Sequence, residues 1–328
     1  MSTYEAEVTA APSNGGGSFT ELFASLLGNV ERVVQGKREV IHLMLLCLLA
    51  EGHLLVEDAP GVGKTTLAKA LAASLDVPFG RVQFTPDLLP SDVVGVSIWN
   101  RAEERFEFRP GPIFSGVVLA DEINRTSPKT QSALLEAMAE GQVTVDGSSR
   151  TLHKPFIVIA TQNPLEHEGT YPLPESQLDR FLAKTSVGYP ARSAEIDILN
   201  MHGTGEPIDA LQPVLDARAV MSMIAAVKTV HAAPELQHYL VDLADATRRH
   251  PGLAIGISPR ATLAMQSIAR ARAASAGRNY ATPDDIKALA HPVLAHRLML
   301  TPEAQLRGLT NARVLDEVIQ SVPVPQQR

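Results

Sequence analysis

The chain has 328 residues and a formal net charge of −7, with 29 Lys and Arg against 36 Asp and Glu. Its 45% hydrophobic and 20% charged residues are the balance of a folded globular protein and exclude a disordered one. The acidic total, without a dense Lys/Arg block, argues against a nucleic-acid-binding surface. The one cysteine, Cys47, allows no internal disulfide, which fits a reducing, cytoplasmic location.

Residues 1–18 carry Ala, Ser, Thr and the run Gly15-Gly16-Gly17. They lack the basic start and apolar stretch of a signal peptide and are expected to form a flexible tail. The longest apolar run, Leu43 to Ala50, is far too short to cross a bilayer, so no membrane insertion is expected. Five short apolar runs ending at turn residues read as strands, at 53–57, 81–84, 117–120, 156–160 and 183–187. They alternate with helical stretches, the pattern of an α/β layered domain. The third and fourth are almost continuously apolar, as in a parallel sheet covered on both faces. Ligands of such sheets sit beyond the carboxyl ends of the strands.

The first of these ends carries Glu57-Asp58-Ala59-Pro60-Gly61-Val62-Gly63-Lys64-Thr65-Thr66, followed by a helix predicted over 64–75. Gly61 and Gly63 let backbone N–H groups turn inward around a phosphate, and the helix start adds a positive dipole end. Lys64 has the reach for β and γ phosphates, and the Thr65 hydroxyl suits Mg²⁺, so ATP and magnesium are the expected cofactors. Asp58 stands where such loops usually begin with glycine. The third strand delivers Asp121 and Glu122, one to the Mg²⁺ shell and the other to polarise an attacking water. By itself the pair also reads as an acidic turn, and the upstream loop decides between the two. Asn163 ends the fourth strand, where its amide could bond both a γ-phosphate and the lytic water. Taken alone, an Asn before Pro164 reads as a turn residue.

From about residue 192 the pattern is helical only. Asp216, the Ala233-Pro234-Glu235 run, Ser258-Pro259 and Thr282-Pro283 are all helix-start signals. A boundary near Tyr189-Pro190-Ala191 therefore separates an α/β domain over 19–190 from a helical domain over 191–328. Arg260 falls near the second position of the helix capped by Ser258, where a cation opposes the helix dipole. A bound anion would relieve that conflict.

These runs, with Gly111-Pro112-Ile113-Phe114, Asp121-Glu122-Ile123-Asn124-Arg125, Pro174-Glu175-Ser176-Gln177-Leu178-Asp179-Arg180-Phe181 and Ser258-Pro259-Arg260-Ala261, resemble the MoxR family of AAA+ ATPases over roughly residues 19–280. The resemblance implies a P-loop core of five parallel strands in the order 5-1-4-3-2, followed by an all-helical lid. It implies a ring, usually a hexamer, with ATP between neighbours and Gln35-Gly36 against adenine. It assigns Arg180 as the finger reaching a neighbour's γ-phosphate and Arg260 as a second sensor, although Asp179 beside Arg180 also suits a surface salt bridge. Two hairpin insertions fit, one pairing Ser97-Ile98-Trp99 with Phe106-Glu107-Phe108, the other turning at Asp146-Gly147. The implied work is chaperone-like remodelling of a protein client with a separate von Willebrand A domain partner. The alternative is a nucleic-acid or magnesium-chelatase-type motor, which shares both hairpins.

Overall fold

The computed structural model describes residues 17–164, 170–190 and 207–325, together with 192, 195 and 196. The predicted tail therefore lies outside the described residues up to residue 16, and the expected boundary is described only as far as Pro190. In chain order the strands are β1 (Leu54–Glu57), β2 (Phe79–Gln83), a hairpin of β3 (Gly95–Asn100) and β4 (Arg105–Pro110), β5 (Val117–Asp121), a second hairpin of β6 (Gln142–Val145) and β7 (Ser148–Thr151), β8 (Ile157–Gln162), β9 (Ala183–Thr185), and a late pair, β10 (Leu253–Ile255) and β11 (Met299–Leu300).

Five of them form one parallel sheet in the order β2-β5-β8-β1-β9, which is 5-1-4-3-2 when its strands are counted along the chain. Pairing sets the strand ends that local pattern misjudges. β2 starts at Phe79 because Phe79 and Gly80 pair with Val117 and Val118. β8 continues past Ala160 because Thr161 and Gln162 pair with Val56 and Glu57. β9 pairs only through Thr185, two residues short of the expected end.

The two-residue period of the strands splits the core by face. Leu54, Val56, Leu119, Ile157 and Ile159 pack with helices Arg38–Leu49 and Lys64–Leu75, and this cluster continues into the helical part of the chain. Leu55, Val118, Ala120, Val158 and Ala160 pack on the other side, against helix Pro128–Glu140. Cys47 lies fully buried in the first cluster, and burial pushes its thiol up, as an inert core residue requires.

Both hairpins are present, with Trp99 opposite Phe106 in the first and Val143 opposite Arg150 in the second. They touch, because the Arg150 guanidinium lies 4.0 Å from the Phe108 ring centre. In the lid, Asp216 accepts from the Ala219 N–H at 2.8 Å and Ser258 from the Ala261 N–H at 3.1 Å, so both predicted caps form. Asp285, 1% exposed, accepts from the Thr282 N–H at 2.8 Å and from Arg278 at 2.6 Å, fixing another helix start. Among the described residues the lid is mainly helical, with an antiparallel pair of β10 and β11 and a bridge between His231 and Tyr280. Runs of three and two residues are too short to show a period in sequence.

Candidate functional site

β1 runs directly into the loop Asp58 to Gly63 and then into helix Lys64–Leu75. Gly61 and Gly63 have φ of +82° and +91°, left-handed values that L side chains rarely adopt. A Cβ at either position would meet nothing within 4 Å, so glycine is required here by backbone angle rather than by lack of room. No side chain caps the helix and its first turn holds no acidic residue, which leaves its N–H groups to the space inside the loop. Lys64, 9% exposed, curls back to donate to the carbonyls of Asp58 and Ala59 at 2.9 and 3.2 Å. The Asp58 carboxylate is bonded mostly from outside the loop. It accepts from the Ala59 N–H at 2.9 Å, the Ser186 hydroxyl at 2.9 Å and the Gly188 N–H at 2.6 Å. Burial raises its pKa, but the bonds from Gly188, Ser186 and Ala59 outweigh this and hold it below the usual carboxylate value.

β8 stands beside β1 and β5 beside β8, all parallel, so their carboxyl ends open on the same edge. Asp121 accepts from the Thr161 hydroxyl at 2.7 Å and from Arg81 at 2.8 Å. Thr161 in turn accepts from the Glu122 N–H at 2.9 Å. That bond helps hold Glu122 at φ +58°, a left-handed conformation that costs a non-glycine residue about 1 kcal/mol. The Glu122 carboxylate accepts from Gln83 at 2.8 Å and Arg125 at 2.9 Å. Asn163, 6% exposed, leaves β8 between the phosphate loop and this pair. Gln35 and Gly36 form a turn before helix Arg38–Leu49, with Gly36 at φ +69°.

Arg180 and Arg260 lie elsewhere. They share a cleft of about 300 Å³ with Gly52, His53, Asp179 and Arg297. Gly52 precedes β1 and Arg180 precedes β9, so this cleft opens at the amino edge of the sheet. A four-residue strand, roughly 13 Å long, separates that edge from the phosphate loop. Arg180 donates to the Leu135 carbonyl at 2.6 Å. Its neighbour Asp179 pairs instead with Arg297 at 2.9 Å and accepts from Ser258 at 3.3 Å, so the salt-bridge reading of Asp179 with Arg180 does not hold. Burial pulls the Arg297 guanidinium below its ordinary value; Asp179 opposes the shift and Arg260 adds to it. Three arginines against two carboxylates, Asp179 and Glu51, leave the cleft cationic. Sequence reading missed Arg81, Gln83, Thr161 and Arg297, each of which acts through a partner distant in the chain. A larger cleft of about 1080 Å³ lies between β9 and the lid, lined by Glu57, Lys184, Ser186, Arg272 and His291. It holds none of the loop residues Gly61 to Thr65, so the phosphate site is defined by loop geometry rather than by cavity size.

A parallel sheet in this order, with a glycine loop after β1, two carboxylates at the end of β5 and a helical lid, defines an AAA+ P-loop ATPase. The model of the ATPase family associated with various cellular activities (AAA) matches residues 53–183, and that of the AAA lid domain matches 245–318. Chaperone MoxR1 of Mycobacterium tuberculosis is 41% identical over 90% of this chain and 81% of its own length. Protein MoxR of Paracoccus denitrificans is 34% identical over 89% of this chain and 93% of its own. The uncharacterised protein YeaC of Bacillus subtilis is 50% identical over 94% and 96%. The crystal structure of a Cytophaga hutchinsonii protein described as an ATPase superposes with a TM-score of 0.88 at 35% identity, covering 94% of this chain and 96% of that one. The chain belongs to the MoxR family of AAA+ ATPases.

Proposed function

We infer that this protein binds Mg–ATP on the loop from Asp58 to Thr66 and hydrolyses it to ADP and phosphate, using the energy to remodel a protein client. The observation that carries the reading is the uncapped, acid-free helix start at Gly63 and Lys64, set beside the ends of β5 and β8. Backbone N–H groups and a lysine held on loop carbonyls suit a polyphosphate, which would draw Lys64 off Asp58 and Ala59. Thr65 and Asp121 would hold Mg²⁺, which neutralises phosphate charge when bound. Glu122 would take the proton of the attacking water, and Asn163 would orient that water. Gln35 and Gly36 would flank the adenine.

Arg180 and Arg260, at the opposite edge of the sheet, suit a role in trans: in a hexameric ring they would meet the nucleotide of a neighbour. The division between the ATP-binding part, 19–190, and the lid, 191–328, falls near Pro190. A client-remodelling role accords with the relative called Chaperone MoxR1. A separate von Willebrand A domain partner and a cytoplasmic location complete the reading. Among the described residues no helix is long and apolar enough to cross a membrane.

Nucleotide binding by the wild type and by Lys64→Ala tests the site, with binding expected only in the former. Equal affinity in both would remove the loop from the reading. Client capture by Glu122→Gln with ATP, compared with nucleotide-free protein, tests the remodelling role.

A further inference from the structure

We propose that Asp58 is a positioning residue that ties the phosphate loop to segment 186–189, so that filling the loop also resets the strand-to-lid connection. The proposal rests on the phosphate-site reading and extends it to a residue that no phosphate chemistry requires. The usual glycine at this place has no side chain, and a carboxylate facing a phosphate would repel it. Here the carboxylate is turned onto the chain just beyond β9, accepting from Ser186 and Gly188.

Lys37 also grips this segment, donating to the carbonyls of Val187 at 2.6 Å and Tyr189 at 2.8 Å. Lys37 directly follows the Gln35-Gly36 turn. Segment 186–189 is thus held by one anion from the phosphate loop and one cation from the turn expected at adenine. Beyond it the chain leaves the sheet for the lid. The Asp58 residue is also engaged at its backbone: its carbonyl accepts from Lys64, and its N–H donates to the Gln162 carbonyl at 3.1 Å. A phosphate that draws Lys64 away changes the load on the Asp58 backbone. The Asp58 carboxylate passes that change to Gly188, whose φ of +64° lets the chain turn there.

The test is hydrogen exchange of the Gly188 amide in the full-length protein, with and without ATP analogue, in wild type, Asp58→Gly, Asp58→Asn and Ser186→Ala. Nucleotide affinity is measured on the same samples. Asp58→Gly should speed Gly188 exchange on the order of tenfold, as loss of a charge-assisted bond implies, and erase its dependence on nucleotide. Asp58→Asn, which keeps an acceptor oxygen, should retain part of both effects, and Ser186→Ala should weaken them without touching the loop. If Asp58→Gly binds nucleotide and its Gly188 amide still responds as in wild type, the tie is overturned while the phosphate site stands. If wild type binds no nucleotide, the phosphate-site reading falls and takes the tie with it.

Discussion

Arg81 donates to the Asp121 carboxylate at 2.8 Å, so a cation of the protein rests on the carboxylate proposed to meet magnesium. The Arg81 side chain is 48% exposed, and it reaches Asp121 because β2 and β5 are adjacent parallel strands. A metal ion at Asp121 competes with this guanidinium.

Arg81→Gln should therefore raise the apparent affinity for Mg²⁺ about fivefold, the ~1 kcal/mol of a partly exposed pair. Magnesium titration of nucleotide binding measures it. Unchanged or weaker magnesium binding would mean that Arg81 supports the site instead of competing for it.

Glu122→Gln should keep nucleotide binding and slow single-turnover hydrolysis at least about 100-fold, the worth of a positioned general base. Its bonds from Gln83 and Arg125 restrain the carboxylate, and removing the Gln83 bond is the milder change. Gln83→Ala should alter turnover far less than Glu122→Gln. Wild-type turnover by Glu122→Gln would take this carboxylate out of the mechanism.

The distance of Arg180 and Arg260 from their own phosphate loop predicts complementation between subunits. Arg180→Ala should bind nucleotide yet lose turnover on the order of 10³-fold, as for a finger supplied in trans. Specific activity of the wild type should rise with protein concentration. Rings mixed from Arg180→Ala and Lys64→Ala subunits should regain activity at interfaces that join an intact loop to an intact arginine. Verified mixed rings without recovery would count against Arg180 as the finger and favour Arg125.

Mild acid should destabilise the fold through His53. Burial lowers its pKa to about 4, against an opposing bond to the Met138 carbonyl. The Val158 N–H donates to its Nδ1 at 3.0 Å, so the ring is held neutral at the junction of β1 and β8. The unfolded chain takes up this proton near pH 6.5, whereas the folded one does so only near 4. Stability is therefore full above pH 6.5 and declines as pH drops toward 4, by about 2 kcal/mol at pH 5. Urea unfolding at pH 7.5 and 5.0, repeated on His53→Gln, isolates the effect. The same acid loss in both proteins would assign it to other groups.

Much of the fold was legible because its signals are local. Asp216 and Ser258 sit immediately before the helices whose N–H groups they satisfy, and the alternation of Leu54, Leu55 and Val56 mirrors the two faces of one strand. The ends of β2 and β8 were less legible, because Phe79 and Gln162 are strand residues only through their partners Val117 and Glu57.

The loop chemistry can be read along the chain: Gly61, Gly63 and Lys64 act through backbone angle and reach, both set within a few residues. The chain's apolar runs likewise determined which strands lie buried in the sheet. How the charges pair follows from the packed fold instead. Asp179 abandons its neighbour Arg180 for Arg297, and Asp58 turns from the phosphate loop to Gly188. Arg260 joins Arg180 at the edge of the sheet opposite Lys64. A charged side chain takes whichever partner the packed backbone brings within hydrogen-bond reach, and that distance is fixed by strand order and lid docking rather than by separation along the chain.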